Sequence, residues 1–268
     1  MKKRFIILSS ALISLCLTAY GCKNNTENEI AKLDTSVVQE IPIDTSIKKE
    51  NKKEIFSDFI YDVGPRFGPI KKSDLEKATS ISDFIPEDEL QQIEVLKSVS
   101  IMVYEENIKF NLRENGISEE FNDAQLELLK SFDYSTNFLI RAEYIQKNDE
   151  TGEMENSYST PHHTIVPEKQ AEFIDGEDAL KSFLKLYSEE TRKDVDPEKL
   201  KPAKLFFTVT KKGTIENIHL DRSSNYPEVD EVMIKLISEV PGTWIPAENI
   251  KGERVDQELV VSFGLMGC

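Results

Sequence analysis

The chain has 268 residues, 39% hydrophobic and 31% charged, with 49 acidic against 33 basic side chains and a net charge of −16. That surplus excludes nucleic acid as a partner, because phosphate backbones are held by basic footprints, and it offers no polybasic attraction to an anionic membrane surface. The length accommodates one or two domains with ordinary cores, and three cysteines are too few for a disulfide framework.

The N-terminus, "MKKRFIILSSALISLCLTAYGC", sets Lys2, Lys3 and Arg4 before an apolar run. That run is too short for a permanent span and reads as an export signal. Ala19 and Gly21 ahead of Cys22 fit a lipobox, which predicts cleavage before Cys22 and a lipid on its thiol. Plain signal-peptidase cleavage is the alternative. Loss of residues 1–21 removes three basic groups and leaves 30 against 49, a net −19. Cys16 departs with the signal, so Cys268 has no partner in its own chain and is expected to be an idle thiol or an intermolecular link. The expected location is the cell envelope, lipid-anchored and facing the periplasm, with the outer membrane favoured.

Residues 22–55 carry no glycine, no aromatic and no periodicity, and read as a disordered tether. Such a coil spans on the order of 30 Å. From Ile55 the apolar density rises. Ser73 and Glu76 have capping-box spacing, and Pro86 with the acidic residues after it opens a second short helix.

In the middle of the chain, Val99, Ile101 and Val103 share one face of a strand, with Ile108, Phe110 and Leu112 on the return. Phe121, Ala124, Leu128, Leu129 and Phe132 recur at helical spacing, and Phe138 leads another strand. The last hundred residues repeat this order. Leu205, Phe207 and Val209 alternate, Gly213 supplies a turn, and Ile218 and Leu220 return. A helix follows over Val229, Val232, Met233, Leu236, Ile237 and Val240, stopped by Pro241-Gly242. Val255, Leu259, Val261 and Phe263 then share a face of a final strand.

Aligning Val99 with Leu205 and Phe138 with Trp244 uses one offset of 106 residues, and the helix faces match at 108. The expectation is a degenerate internal duplication, two unrelated stretches being the alternative. The predicted fold class is α+β, with two small units of strand–strand–helix–strand order, each an antiparallel sheet with packed helices. Residues 56–165 form the first unit and residues 166–268 the second.

The second unit resembles the TonB C-terminal domain. The matching pieces are "AEFIDGEDALKSFL", the hairpin "FFTVTKKGTIENIHL", "VDEVMIKLI" and "PGTWIPAENIKGERV". Its signature residues are Gly213, Trp244, Pro246, Ala247 and Gly252. The resemblance implies helices on a three-stranded sheet that captures the TonB box of outer-membrane transporters by strand addition. It places the recognition edge on the terminal strand, at Gln257, Leu259, Val260, Val261, Ser262 and Phe263. Energy transducers of this family also carry a transmembrane helix and a proline-rich spacer, whereas this tether has one proline, Pro42. Binding therefore carries over more readily than force transmission.

Trp244 is expected under the hairpin with its indole N–H bonded to backbone. His162, His163 and Glu168 have poor spacing for one ion, since neighbours on a strand point to opposite faces. Residues 148–156, "NDETGEMEN", read as a polar hairpin tip rather than a calcium loop. Nucleophile elbows, phosphate-binding glycine loops and metalloprotease histidine pairs are lacking. The expectation is a non-catalytic adaptor without metal or cofactor. Its partners are envelope proteins, TonB-dependent transporters among them, and the membrane through Cys22. The alternative is a structural lipoprotein whose tandem units pair in cis and bind no TonB box.

Overall fold

The computed structural model describes residues 59–105 and 109–265. The export signal, Cys22, the tether, Ile108 and Cys268 lie outside the described residues, as do the side chains of Phe110 and Leu112. The protein is a mixed α+β fold, with antiparallel sheets and few helices.

The described residues open with β1 (Ile60–Gly64) and β2 (Gly68–Lys71), followed by the single-turn helices α1 (Lys72–Leu75) and α2 (Glu87–Leu90). Ser73 lies inside α1 rather than capping it; Lys71 is the N-cap, and the Ser73 amide donates to Glu168 Oε1 at 3.1 Å. The capping carboxylate of this region is Asp83, which accepts from the amides of Thr79 and Ser80 at 2.8 and 3.0 Å. Pro86 caps α2, with Glu87, Asp88 and Glu89 in its first turn, where they complement the helix dipole.

The long strands β3 (Val95–Glu105), β4 (Lys109–Gly116) and β5 (Asn137–Lys147) surround the helix α3 (Asp123–Ser131) in sequence. β6 (Met154–Ser159) forms a hairpin with β5 whose tip is closed by Asn148 and Gly152, and β7 (His162–Val166) continues in line with β6. The sheet order is β2-β7-β5-β3-β4, with β6 also beside β5 and only the β2–β7 pair parallel. Val99, Ile101 and Val103 face a core that includes Phe138, Ile140, Leu129 and Phe132. Ala124 is exposed and Gln125 takes its place, with no residual exposure. Gln125 closes a capping box with Asn122 and donates to the Val99 carbonyl at 3.2 Å, so its buried amide is partnered.

The C-terminal half comprises β8 (Glu172–Phe173), α4 (Glu177–Tyr187), α5 (Glu189–Arg192), β9 (Ala203–Val209), β10 (Ile215–Arg222) and α6 (Pro227–Ser238). It ends in the two-residue strands β11 (Trp244–Ile245), β12 (Ala247–Glu248) and β13 (Arg254–Val255), followed by β14 (Gln257–Gly264). The principal sheet runs β1-β14-β9-β10, antiparallel throughout. Leu205, Phe207 and Val209 from β9, Leu259, Val261 and Phe263 from β14, and Val229, Met233 and Ile237 from α6 fill its core.

β3 lies between β4 and β5, and β9 between β10 and β14, so first, second and third strands take the same places in both sheets. The helices also correspond, because Phe121, Gln125 and Leu129 are buried where Val229, Met233 and Ile237 are buried 108 positions later. The third strands do not follow the expected offset. Val99 pairs with Ala142 and Leu205 with Val261, so the third strands are 119 residues apart where the first strands are 106 apart. Phe138, opposite Val103, therefore corresponds to Gln257, opposite Val209, and not to Trp244. The difference is the β11–β13 excursion, which carries Trp244, Pro246, Ala247 and Gly252 and has no counterpart before β5.

Candidate functional site

β14 is the strand on which the sequence places recognition. Apolar residues at alternate positions bury one face on the helices, and Gln257, Leu259, Val261 and Phe263 are all buried. The other face carries Glu258, Val260 and Ser262.

The expectation that β14 is an open edge does not hold. On one side β9 pairs with it from Gln257 to Phe263, and on the other β1 pairs with it from Val260 to Gly264. The segment expected to open the first unit thus supplies an edge strand of the second sheet. The remainder of β14 is closed by side chains: the Glu258 amide donates to Ser135 Oγ at 2.9 Å, and Gln257 Oε1 accepts from the Ala171 amide at 2.7 Å.

β1 is seated by its own burial. Phe59 stacks on Phe263 with ring centroids 6.4 Å apart and lies 5.2 Å from Tyr61. The Tyr61 hydroxyl is hydrogen-bonded to Ser188, and burial raises the phenol above its ordinary pKa, with Ser188 and Arg192 opposing. Arg192 closes this end, its guanidinium carbon 5.6 Å from the Phe59 ring and its Nη2 donating to the Lys185 carbonyl at 2.8 Å. Burial of a Phe side chain stabilises by about 1.5–3 kcal/mol, so Phe59 alone contributes substantially to holding β1 in place.

The edges of this sheet are therefore β1 and β10. β1 is five residues long and ends before Pro65. β10 shifts register between Glu216 and His219 and again between Leu220 and Arg222, and Asn217 has a φ of 54°. Bulges and charges on an edge discourage a further strand from adding.

Three of the signature residues, Gly213, Trp244 and Pro246, meet at the hairpin turn. Gly213 has a φ of 80°, and a Cβ there would lie 2.5 Å from the Trp244 carbonyl oxygen. Trp244 packs 5.4 Å from Phe207 and 5.6 Å from Phe173, under the hairpin as expected. Its indole N–H, however, has no hydrogen-bond partner among the described residues, contrary to the expected backbone bond. Ala247 is buried and pairs with Val255, and Gly252, at φ 76°, turns β12 back into β13. Pro246 lies against the Gly213 turn.

The histidines have separate surroundings. His162 Nε2 is bonded to the Tyr104 hydroxyl at 2.5 Å, within a cluster that includes Phe67. His163 lies against Phe84 and Phe138, and its Nε2 is buried without a partner among the described residues. Glu168 accepts from Ser73, so these three side chains do not converge. Sequence reasoning missed β1, whose partner is two hundred positions away, and the cations Arg66, Lys204 and Arg222 on the outer face of the sheet. No protein-family model, no curated protein and no solved structure matches the chain.

Proposed function

We propose that the protein is a lipid-anchored, periplasm-facing envelope lipoprotein and a non-catalytic structural module. Its C-terminal domain is TonB-like, completed in cis so that no TonB box is taken up by β14. The observation that carries this reading is the β1–β14 ladder, five residue pairs long and anchored by Phe59 and Tyr61. A strand slot filled by the chain itself has no free backbone donors and acceptors to offer a peptide. The TonB-like assignment is supported by the strand order β10-β9-β14, by α6 between β10 and β14, and by the seating of Trp244 against Gly213.

The adaptor reading stays second: β1 is short and directly follows the tether segment, but displacing it requires the loss of its ladder together with the Phe59 and Tyr61 anchors. Titration of residues 23–268 with TonB-box peptides, followed by backbone amide NMR, separates the two. The structural reading expects no shifts on Gln257–Gly264. Saturable shifts concentrated there would reject it and make the transporter the partner to pursue.

A further inference from the structure

The face of the C-terminal sheet that turns away from its helices carries a transverse row of polar side chains. Register sets Asp62 on β1 beside Ser262 on β14, Ser262 beside Lys204 on β9, and Lys204 beside Arg222 on β10. Two like charges therefore stand opposite one another, which destabilises a strand pair. A third cation, Arg66, reaches this face from the segment between β1 and β2. Its guanidinium carbon lies 5.2 Å from the Phe206 ring centroid and 5.4 Å from that of Phe67, and Lys204 Nζ lies 5.6 Å from the Phe67 centroid.

Arg66, Lys204 and Arg222 line one cavity of about 670 Å³ together with Phe67 and Ser262. The nearby carboxylates are engaged elsewhere or by one cation only. Asp62 pairs with Lys181 at 3.2 Å, and Asp221 pairs with Arg66 at 3.6 Å. Among the described residues, neither Lys204 nor Arg222 has a carboxylate within ion-pair distance. Arg66 Nε is buried and, among the described residues, lacks a hydrogen-bond partner. Burial holds the Lys204 ammonium below its ordinary pKa, Arg66 and Arg222 push it the same way, and Asp221 opposes. In a chain with 49 acidic against 33 basic groups, such a concentration of positive charge is out of character.

We propose that this cavity binds a phosphate group, whose negative charge is met by Lys204 and Arg222 while Arg66 supplies further N–H donors. Phosphate suits the site better than a single carboxylate for two reasons. It carries up to two negative charges at neutral pH, matching two uncompensated cations, and its oxygens fit the guanidinium fork. Inorganic phosphate and the phosphate of a lipid headgroup share this chemistry.

The test uses residues 23–268 and follows backbone amides by NMR in sodium phosphate and in sodium chloride of equal pH and ionic strength. Saturable shifts at Lys204, Ser262 and Arg222 are expected in phosphate alone. The double variant Lys204→Gln, Arg222→Gln is expected to bind about tenfold or more weakly, given the strength of charge-assisted hydrogen bonds. In phosphate-free buffer the same variant is expected to melt no lower than the parent, because a like-charge pair has been removed. This separates lost binding from lost folding.

Sedimentation with phosphatidic acid vesicles, compared with phosphatidylcholine vesicles, distinguishes the sources. Variant-sensitive sedimentation with phosphatidic acid assigns a lipid headgroup, and shifts with inorganic phosphate alone assign a free phosphate. Equal shifts in phosphate and chloride with no vesicle binding, or binding unaltered in the double variant, would overturn the site.

Discussion

A proline at position 62 isolates what β1 contributes. The Glu258 amide points to Ser135 Oγ and away from β9, so by alternation the amides of Val260, Ser262 and Gly264 face β1. Asp62, opposite Ser262, therefore returns its own N–H to β14. Asp62→Pro removes that donor, strands the Ser262 carbonyl and sets a ring against the ladder. One ladder bond contributes about 1 kcal/mol net, and a carbonyl left without a partner costs about 1–3 kcal/mol more. The expected destabilisation is about 2–4 kcal/mol. Urea unfolding followed by the fluorescence of Trp244, the only tryptophan, reads it out within the same core that Leu259 and Phe263 enter. Asp62→Ala is the control, since it removes the exposed pair with Lys181 and leaves the ladder intact; its expected cost is within about 0.5 kcal/mol. Equal unfolding midpoints for the two variants would refute the reasoning.

Gly213→Ala is expected to cost about 2–4 kcal/mol, because a left-handed conformation is combined with a carbonyl oxygen 2.5 Å from the new Cβ; thermal unfolding measures it. Gln125→Ala opens the Asn122 capping box and removes the buried amide bond to the Val99 carbonyl, for an expected loss of about 1–3 kcal/mol by urea denaturation. Burial holds the His163 imidazole below its ordinary value of 6.5, with a backbone bond involving Gly68 opposing and His162 adding to the depression. In the window below that ordinary value the unfolded chain binds the extra proton, so stability falls as pH drops through it and is highest above it. Circular-dichroism melts across this range should show the fall in the parent and a flatter profile in His163→Leu.

The elements legible in the sequence are those whose signal is local. Leu205, Phe207 and Val209 alternate on one strand, Gly213 marks the turn, and Val229, Met233 and Ile237 recur at helical spacing, so the β9–β10 hairpin and α6 stand where the periodicity places them. Offsets within an element also survive, which is why the helix faces of the two halves align at 108. Pairing between distant segments is not written locally. "IYDVG" has five residues and weak alternation, and nothing in it points to a partner at Val260–Gly264. The same blindness moved Phe138 onto Trp244, because the extra residues between helix and third strand form two-residue strands without periodicity of their own. The cationic cavity was hidden for a related reason: Arg66, Lys204 and Arg222 come from three segments and meet only through sheet register.

The measurement that tests the central claim most directly is a nuclear Overhauser experiment on residues 23–268, seeking the contact between the Hα protons of Tyr61 and Phe263. These residues face each other at a position where β1 and β14 exchange no hydrogen bonds, the closest approach of an antiparallel pair. Completion of the sheet in cis predicts a strong cross-peak together with slow exchange of the Ser262 amide. Absence of the cross-peak, with a Ser262 amide that exchanges as fast as an open edge, would contradict it.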